Sequence, residues 1–315
     1  MATETPAPVL SVVIPVYNEE ESLQPLVQRL RAACEPLGLP YEVLFVDDGS
    51  QDSTFATLEA LHRQDGRLRV LRFRKNYGQT AAMAAGFRHA RGQVIVSMDG
   101  DLQNDPADIP RLLAKLEEGY DVVCGWRKAR QDKLLSRRVP SLIANWLIGK
   151  VTGVPIHDNG CSLKAYRAEV IKRVQLYAEL HRFIPAMSTL TGARIAELVV
   201  RHHPRRFGRS KYGISRTWRV FLDLFVVKML TAWAARPRLW FATLAVVPLL
   251  GSLGSLVGWG LSRFASIVFP AVAFLALALV GHLLVMGLLA ELVLATGDFR
   301  PEAVLVVRGH TPPQP

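Results

Sequence analysis

The chain has 315 residues with 38 Lys plus Arg against 27 Asp plus Glu, a formal charge of +11, and half of it is hydrophobic. That size and apolar content exclude a disordered chain and leave ample surface to bury a core, in one large domain or two ordinary ones. The three cysteines, Cys34, Cys124 and Cys161, lie far apart with no Cys-x-x-Cys, which excludes a disulfide framework and argues against a zinc site.

Met1 to Pro8 is polar and lacks the basic-then-apolar layout of a signal peptide, so the bulk of the chain is expected to stay cytosolic. Strand-like and helix-like segments then alternate. Leu10 to Val16, Tyr41 to Val46, Leu68 to Phe73, Gln93 to Met98 and Asp121 to Cys124 read as strands. Glu21 to Cys34, Ser53 to Arg63, Gln79 to Ala90 and Ile109 to Glu118 read as helices. Such alternation predicts a mostly parallel α/β sheet covered on both faces, with ligands outside the carboxyl ends of the strands.

Polar clusters sit at those ends: Asn18-Glu19-Glu20, Asp47-Asp48-Gly49-Ser50, Asn76 with Gln79, and Asp99-Gly100-Asp101. No Gly-x-Gly-x-x-Gly or Gly-Lys-Ser/Thr loop appears, which excludes a dinucleotide site and a P-loop. Asp99, Asp101 and Gln103 are hard oxygen ligands suited to Mg²⁺ or Mn²⁺ shared with substrate phosphates. Gln79 is read as helix packing, and Asn76 as a cap for the helix that follows. Cys124 reads as a small core residue, and His157, His181, His202 and His203 as structural or surface groups without zinc spacing.

Two segments carry the whole positive surplus. Gly125 to Arg138 is net +5 and Arg201 to Arg219 is net +7, leaving −1 for the rest. They call for an anionic partner or a solvated juxtamembrane surface. Neither belongs to a nucleic-acid-binding module, so no nucleic acid is expected. Ile214 to Ala235 reads as an amphipathic helix, lying on a membrane or packed on the soluble domain. Leu239 to Ser262 and Phe264 to Ala290 are free of Asp, Glu, Lys and Arg and long enough to span a bilayer, with Arg263 alone between them. Arg236, Arg238, Arg300 and Arg308 flank this hairpin, predicting a multi-pass inner-membrane protein with its catalytic domain and both termini in the cytosol.

The strings SVVIPVYNEEESL, VDDGSQDST, RKNYGQTAAMAAGF and SMDGDLQNDPADIP resemble family-2 glycosyltransferases. GWRKARQD, NGCSLKAYR and PRRFGRSKYG, with the C-terminal hairpin, are similar to the polyprenyl-phosphate glycosyltransferases within that family. The resemblance implies a GT-A fold and transfer of one sugar from a UDP- or GDP-linked donor to undecaprenyl or dolichyl phosphate, with inversion. It implies domain limits of 1–213 for the catalytic part, 214–236 for the interfacial helix, 237–297 for the hairpin and 298–315 for a cytosolic tail, and it allows a homo-oligomer. By motif it assigns Pro15, Tyr17, Glu19, Val46, Asp48, Asp99, Gly100, Arg205 and Lys211 to the nucleotide, and Asp99, Asp101 and Gln103 to the metal. Arg127, Arg137 and Ser141 fall to the acceptor phosphate, with Asp101, Arg127 and Asp158 as catalytic residues. Asp158 stands equally as a base or as a group orienting Arg127. Gly100 departs from the alanine usual there. Two alternatives stay open, a membrane-anchored donor-binding scaffold without turnover and a transferase with a non-lipid acceptor.

Overall fold

The computed structural model describes residues 8–128, 139–176, 180–204, 223–224, 226–228 and 236–296. The chain divides into two units, one holding the sheet and a second, from Lys228 to Ala303, holding two long helices.

The first unit begins with β1 (Leu10–Val16), α1 (Glu20–Cys34), β2 (Tyr41–Asp47), α2 (Thr54–Gln64), β3 (Leu68–Arg72) and α3 (Gln79–His89). It continues with β4 (Val94–Ser97), α4 (Ile109–Glu117), β5 (Val122–Trp126), α5 (Val139–Thr152), β6 (Lys164–Arg167) and β7 (Ile195–Val199). The sheet order is β3-β2-β1-β4-β6-β5-β7. All pairings are parallel except those of β6, which runs against both β4 and β5. The continuous apolar runs of β1 and β2 are buried along almost their whole length, as a sheet covered on both faces requires.

α1 buries Leu23, Leu26, Val27 and Leu30 at helical spacing, and α4 buries Ile109, Leu112 and Leu116. Both sets join the core that contains Val12, Ile14 and Phe45. Each fully buried leucine there contributes about 1.5–3 kcal/mol relative to exposure. This packing on one side and α3 against β1 and β2 fix the four parallel strands, whose C-terminal ends carry the polar loops. β6 changes the edge further along the sheet. Because it is antiparallel, its beginning, not its end, lies beside the ends of β4 and β5.

In the second unit, helices Pro237–Leu261 and Val268–Thr296 are each long and apolar enough to cross a membrane. Ser252 Oγ donates to Ala273 O at 3.0 Å and Ser255 Oγ to Phe269 O at 2.8 Å, so small polar residues join the two helices. Gly258 leaves the room that the Phe269 ring fills. The turn is longer than the single Arg263 expected from sequence. Arg263 and Phe264 both adopt left-handed φ values, 55° and 63°, which stop the first helix, and the second starts only at Val268. The predicted interfacial helix over 214–236 lies outside the described residues, apart from helical pieces at 223–224 and 226–228.

Candidate active site

The loops after β1 and β2 are stitched into one wall. Asn18 N donates to Ser50 Oγ, Gln51 N to Asn18 Oδ1 and Glu19 N to Thr54 Oγ1, each at 2.9 Å. Asn18 reaches these bonds with a φ of 51°, a conformation asparagine tolerates better than most residues. Glu19 is the N-cap residue of α1, and its carbonyl accepts from Ser22 Oγ at 2.8 Å. Tyr17, Ser50, Arg72, Arg74, Lys75 and Asn76 line a cavity of about 440 Å³ against this wall. Its floor needs Gly49, which has φ 73° and would place a Cβ 2.4 Å from the Lys75 carbonyl carbon.

Asp48 is buried and accepts from Tyr77 N at 2.7 Å and Gly78 N at 2.8 Å, tying β2 to the start of α3. Burial outweighs these two bonds and raises its carboxyl above the usual range, with Asp47 adding to the rise. The next residue, Gln79, does more than pack. Its Nε2 donates to Asp99 Oδ1 at 2.7 Å, across 20 residues. Asn76 lines the cavity rather than capping α3, whose N-cap is Gly78. Val46 is fully buried in β2, its Cγ2 close to Gly86 of α3, so its side chain has no surface to offer a donor. Pro15 is half-buried opposite it in β1.

After β4 the chain makes a tight loop. Leu102 takes φ 64°, unusual for a branched side chain, and in doing so buries itself in the core. The turn brings Gln103 N to Asp101 Oδ1 at 3.1 Å. Asp99 is pushed up to about 6 by burial and by the Asp101 carboxylate, against a hydrogen bond from Ser162 and the charges of Arg127 and Lys164. Two neighbouring carboxylates that resist ionising together suit a divalent cation, which would relieve their repulsion. Among the described residues no group of three His, Cys, Asp or Glu side chains converges as a metal cage, so substrate oxygens would have to complete the coordination. Gly100 is packed tightly, since a Cβ there would meet Val16 Cγ1 at 2.7 Å.

Arg127 follows β5 and is gripped by Asp158. Its Nε donates to Asp158 Oδ2 at 2.7 Å and its Nη2 to Asp158 Oδ1 at 2.9 Å, a two-point fork between side chains only 14% and 4% exposed. Both Asp158 oxygens accept from Arg127, the arrangement of a carboxylate that orients the guanidinium. Glu197 of β7 holds the same turn from beneath, accepting from His157 N at 2.8 Å and Asp158 N at 3.2 Å. His157 stacks on Trp126 with ring centroids 4.3 Å apart. Ser162 closes the turn toward the loop after β4, accepting from Asn104 Nδ2 at 2.7 Å. Ser162 and Lys164 lie within the NGCSLKAYR string but no role is assigned to them by motif, and Glu197 belongs to none of the motif strings.

Beyond β7, His203 N donates to Gln103 O at 2.8 Å, and His203 Nε2 lies 3.1 Å from Asp105 Oδ2. The chain is therefore tied to the loop after β4 two residues before Arg205. Arg205, Lys211 and Arg137 lie outside the described residues, as does the side chain of Ser141 in α5.

Comparison with known proteins bears on this geometry. The glycosyl transferase family 2 model matches residues 11–175, which hold β1 to β6 and nearly every group above. The chain belongs to family 2 of the glycosyltransferases. This glycosyltransferase is 49% identical over 252 residues to a dodecaprenyl-phosphate galacturonate synthase of Rhizobium johnstonii, covering 79% of the chain and 74% of the relative. It is 42% identical over 263 residues to an undecaprenyl-phosphate 4-deoxy-4-formamido-L-arabinose transferase of Salmonella paratyphi A, covering 83% and 77%. Among solved structures, the transferase resembles glucosyl-3-phosphoglycerate synthase of Mycobacterium tuberculosis bound to Mn²⁺ and UDP, with TM-score 0.53, 20% identity and coverage of 71% and 78%. It also resembles Staphylococcus aureus TarS bound to UDP-GlcNAc, with TM-score 0.51, 19% identity and coverage of 71% and 67%. These likenesses establish the GT-A fold.

Proposed function

We propose that the protein is an inverting membrane glycosyltransferase that moves a single sugar from a nucleotide diphosphate to a polyprenyl phosphate at the cytosolic face. The observation that carries the reading is the pairing of two sites on one sheet edge, the Asp99–Asp101 carboxylates after β4 and the clamped Arg127 after β5. The first suits a metal-bound diphosphate and the second a phosphate monoester.

In this reading Tyr17 and the cavity beside it take the nucleotide. Asp99, Asp101 and Gln103 would hold Mg²⁺ or Mn²⁺, which when bound neutralises the charge gathering on the departing diphosphate. Asp158 occupies two of the five guanidinium N–H groups of Arg127, leaving the other three for the lipid phosphate. A phosphate oxygen, already an anion, attacks the anomeric carbon as the bond to the diphosphate oxygen breaks. No proton must be removed, so the residues contribute orientation and charge rather than a base. Arg205 and Lys211 are assigned to the diphosphate, and Arg137 and Ser141 to the acceptor, on their motif positions. Two helices long and apolar enough to cross a membrane fit an enzyme whose acceptor is a membrane lipid.

The test is incubation of the full-length protein with undecaprenyl phosphate, Mg²⁺ or Mn²⁺ and a panel of UDP- and GDP-sugars, with products read by mass. UDP-galacturonate and UDP-4-deoxy-4-formamido-L-arabinose come first, because the sugars named for the two relatives are those. A sugar phosphodiester of the polyprenol supports the reading. Donor hydrolysis alone, or transfer only to a water-soluble acceptor, would overturn it.

A further inference from the structure

Lys164 is the first residue of β6 and only 3% exposed. In the sheet it sits between Ser97 of β4 and Cys124 of β5, level with the ends of the two strands that deliver Asp99 and Arg127. Its ammonium donates to the carbonyls of Asn159, at 3.2 Å, and of Cys161. Among the described residues no carboxylate lies within ion-pair distance of it. A buried lysine is costly, and two carbonyls together with the more distant Asp99 carboxylate offset only part of that cost.

What those carbonyls belong to explains the expense. The turn from Asp158 to Ser162 has two functional ends. Asp158 grips Arg127, and Ser162 bonds Asp99 and accepts from Asn104. Inside the turn the internal backbone bond, Cys161 N to Asp158 O, is long at 3.3 Å. The lysine ammonium fastens the carbonyls on either side of Gly160. Gly160 itself lies against the pair it serves, since a Cβ there would sit 3.4 Å from Arg127 Nη2.

We infer that Lys164 is a positioning residue for the acceptor: by pinning the 158–162 turn it fixes the angle at which Asp158 presents Arg127. The inference rests on the assignment of Arg127 to the lipid phosphate made above. Lys164 touches no substrate in this account and acts only through the turn.

The experiment compares Lys164→Met, Asp158→Asn and the double variant of the full-length protein in detergent. Lys164→Met is expected to raise KM for undecaprenyl phosphate about tenfold while KM for the sugar nucleotide stays within about twofold. Because the lysine works through Asp158, the double variant should be no more than about twofold worse than the worse single variant. Amide hydrogen exchange over 158–162 should speed up about tenfold in Lys164→Met, with β1 to β3 unchanged. Lys164→Gln, which keeps a donor for one carbonyl, should fall between wild type and the Met variant, and it carries the test if the Met variant does not fold. Losses that multiply in the double variant, an equal rise in both KM values, unchanged exchange in the turn, or a Gln variant equal to wild type would each overturn the inference. A wild-type protein inactive toward polyprenyl phosphates, with the turn still loosened in the variant, would instead refute the acceptor assignment and leave Lys164 as the pin of the turn.

Discussion

Asp158→Asn separates the two roles that an acid at this position could have. The substitution keeps shape and volume but replaces one carboxylate oxygen with an NH₂. In the wild type, Oδ2 receives Arg127 Nε at 2.7 Å and Arg127 N at 3.3 Å, while Oδ1 receives Nη2 at 2.9 Å. Whichever way the amide turns, one of its N–H groups faces a guanidinium donor, and the side chain of Arg127, only 14% exposed, loses its counter-charge. Removing one partner of a buried pair costs roughly 3–5 kcal/mol. The residual exposure of Arg127 and the nearby Asp99 charge bring this case to the bottom of that range or just below it, about 2–3 kcal/mol. For a unit of this size, that corresponds to a fall of roughly 4–12 °C in Tm. We expect the variant to fold, to bind nucleotide normally, and to need a higher concentration of lipid phosphate. The assays are thermal unfolding and a titration of undecaprenyl phosphate at saturating donor. An unchanged Tm would refute the energetic argument. A drop of about 10²-fold or more in kcat, with KM for the lipid unmoved, would show Asp158 acting as a base.

Asp101→Ala should abolish transfer while the protein stays folded and membrane-bound, because the site has few protein ligands to lose; activity within a few-fold of wild type at saturating Mn²⁺ would contradict the metal assignment. Asp99 is raised to about 6, so its ionisation is penalised in the fold: the stability it contributes is present below the ordinary carboxylate range and is lost as pH rises through about 6. A cation must displace that proton, so Mn²⁺ affinity measured with the intact sugar nucleotide should climb from about pH 5 to about pH 7 and then level off; a flat profile would count against it. Gly100→Ala should cost about 1–3 kcal/mol in thermal or denaturant unfolding, and Val16→Ala in the same chain should recover part of the loss, because the new methyl competes with Val16 Cγ1 for one space. Equal stability of Gly100→Ala and wild type would show that Val16 yields freely.

The first five strands and their helices were legible because their signals are local. Apolar runs such as Leu10–Val16 and Tyr41–Asp47 are bounded by polar loops, and α1 and α4 repeat leucines at helical spacing. β6 gave no such signal. It is four residues long, and its first residue is a lysine whose burial depends on carbonyls contributed by its own preceding turn. The Asp99 and Asp101 carboxylates are readable as a motif, but the role of Gln79 is not, since its bond to Asp99 requires β1 and β4 to be neighbours in the sheet. The Asp158 fork was half-readable for the same reason. Its partner lies 31 residues away, and only the reversed direction of β6 returns the turn to the end of β5.

That reversal also limits how such enzymes can be recombined. A chimera joined between α4 and β5 would take Asp99, Asn104 and the cavity beside Tyr17 from one parent, and Arg127 with the whole 158–162 turn from the other. The seam would run through the Ser162 contacts to Asn104 and Asp99 rather than through a passive linker. The Asp99 end and the Arg127 end of the site are therefore not independent modules in this fold. The parents of a working hybrid would have to agree at a single serine before either half could keep its own specificity.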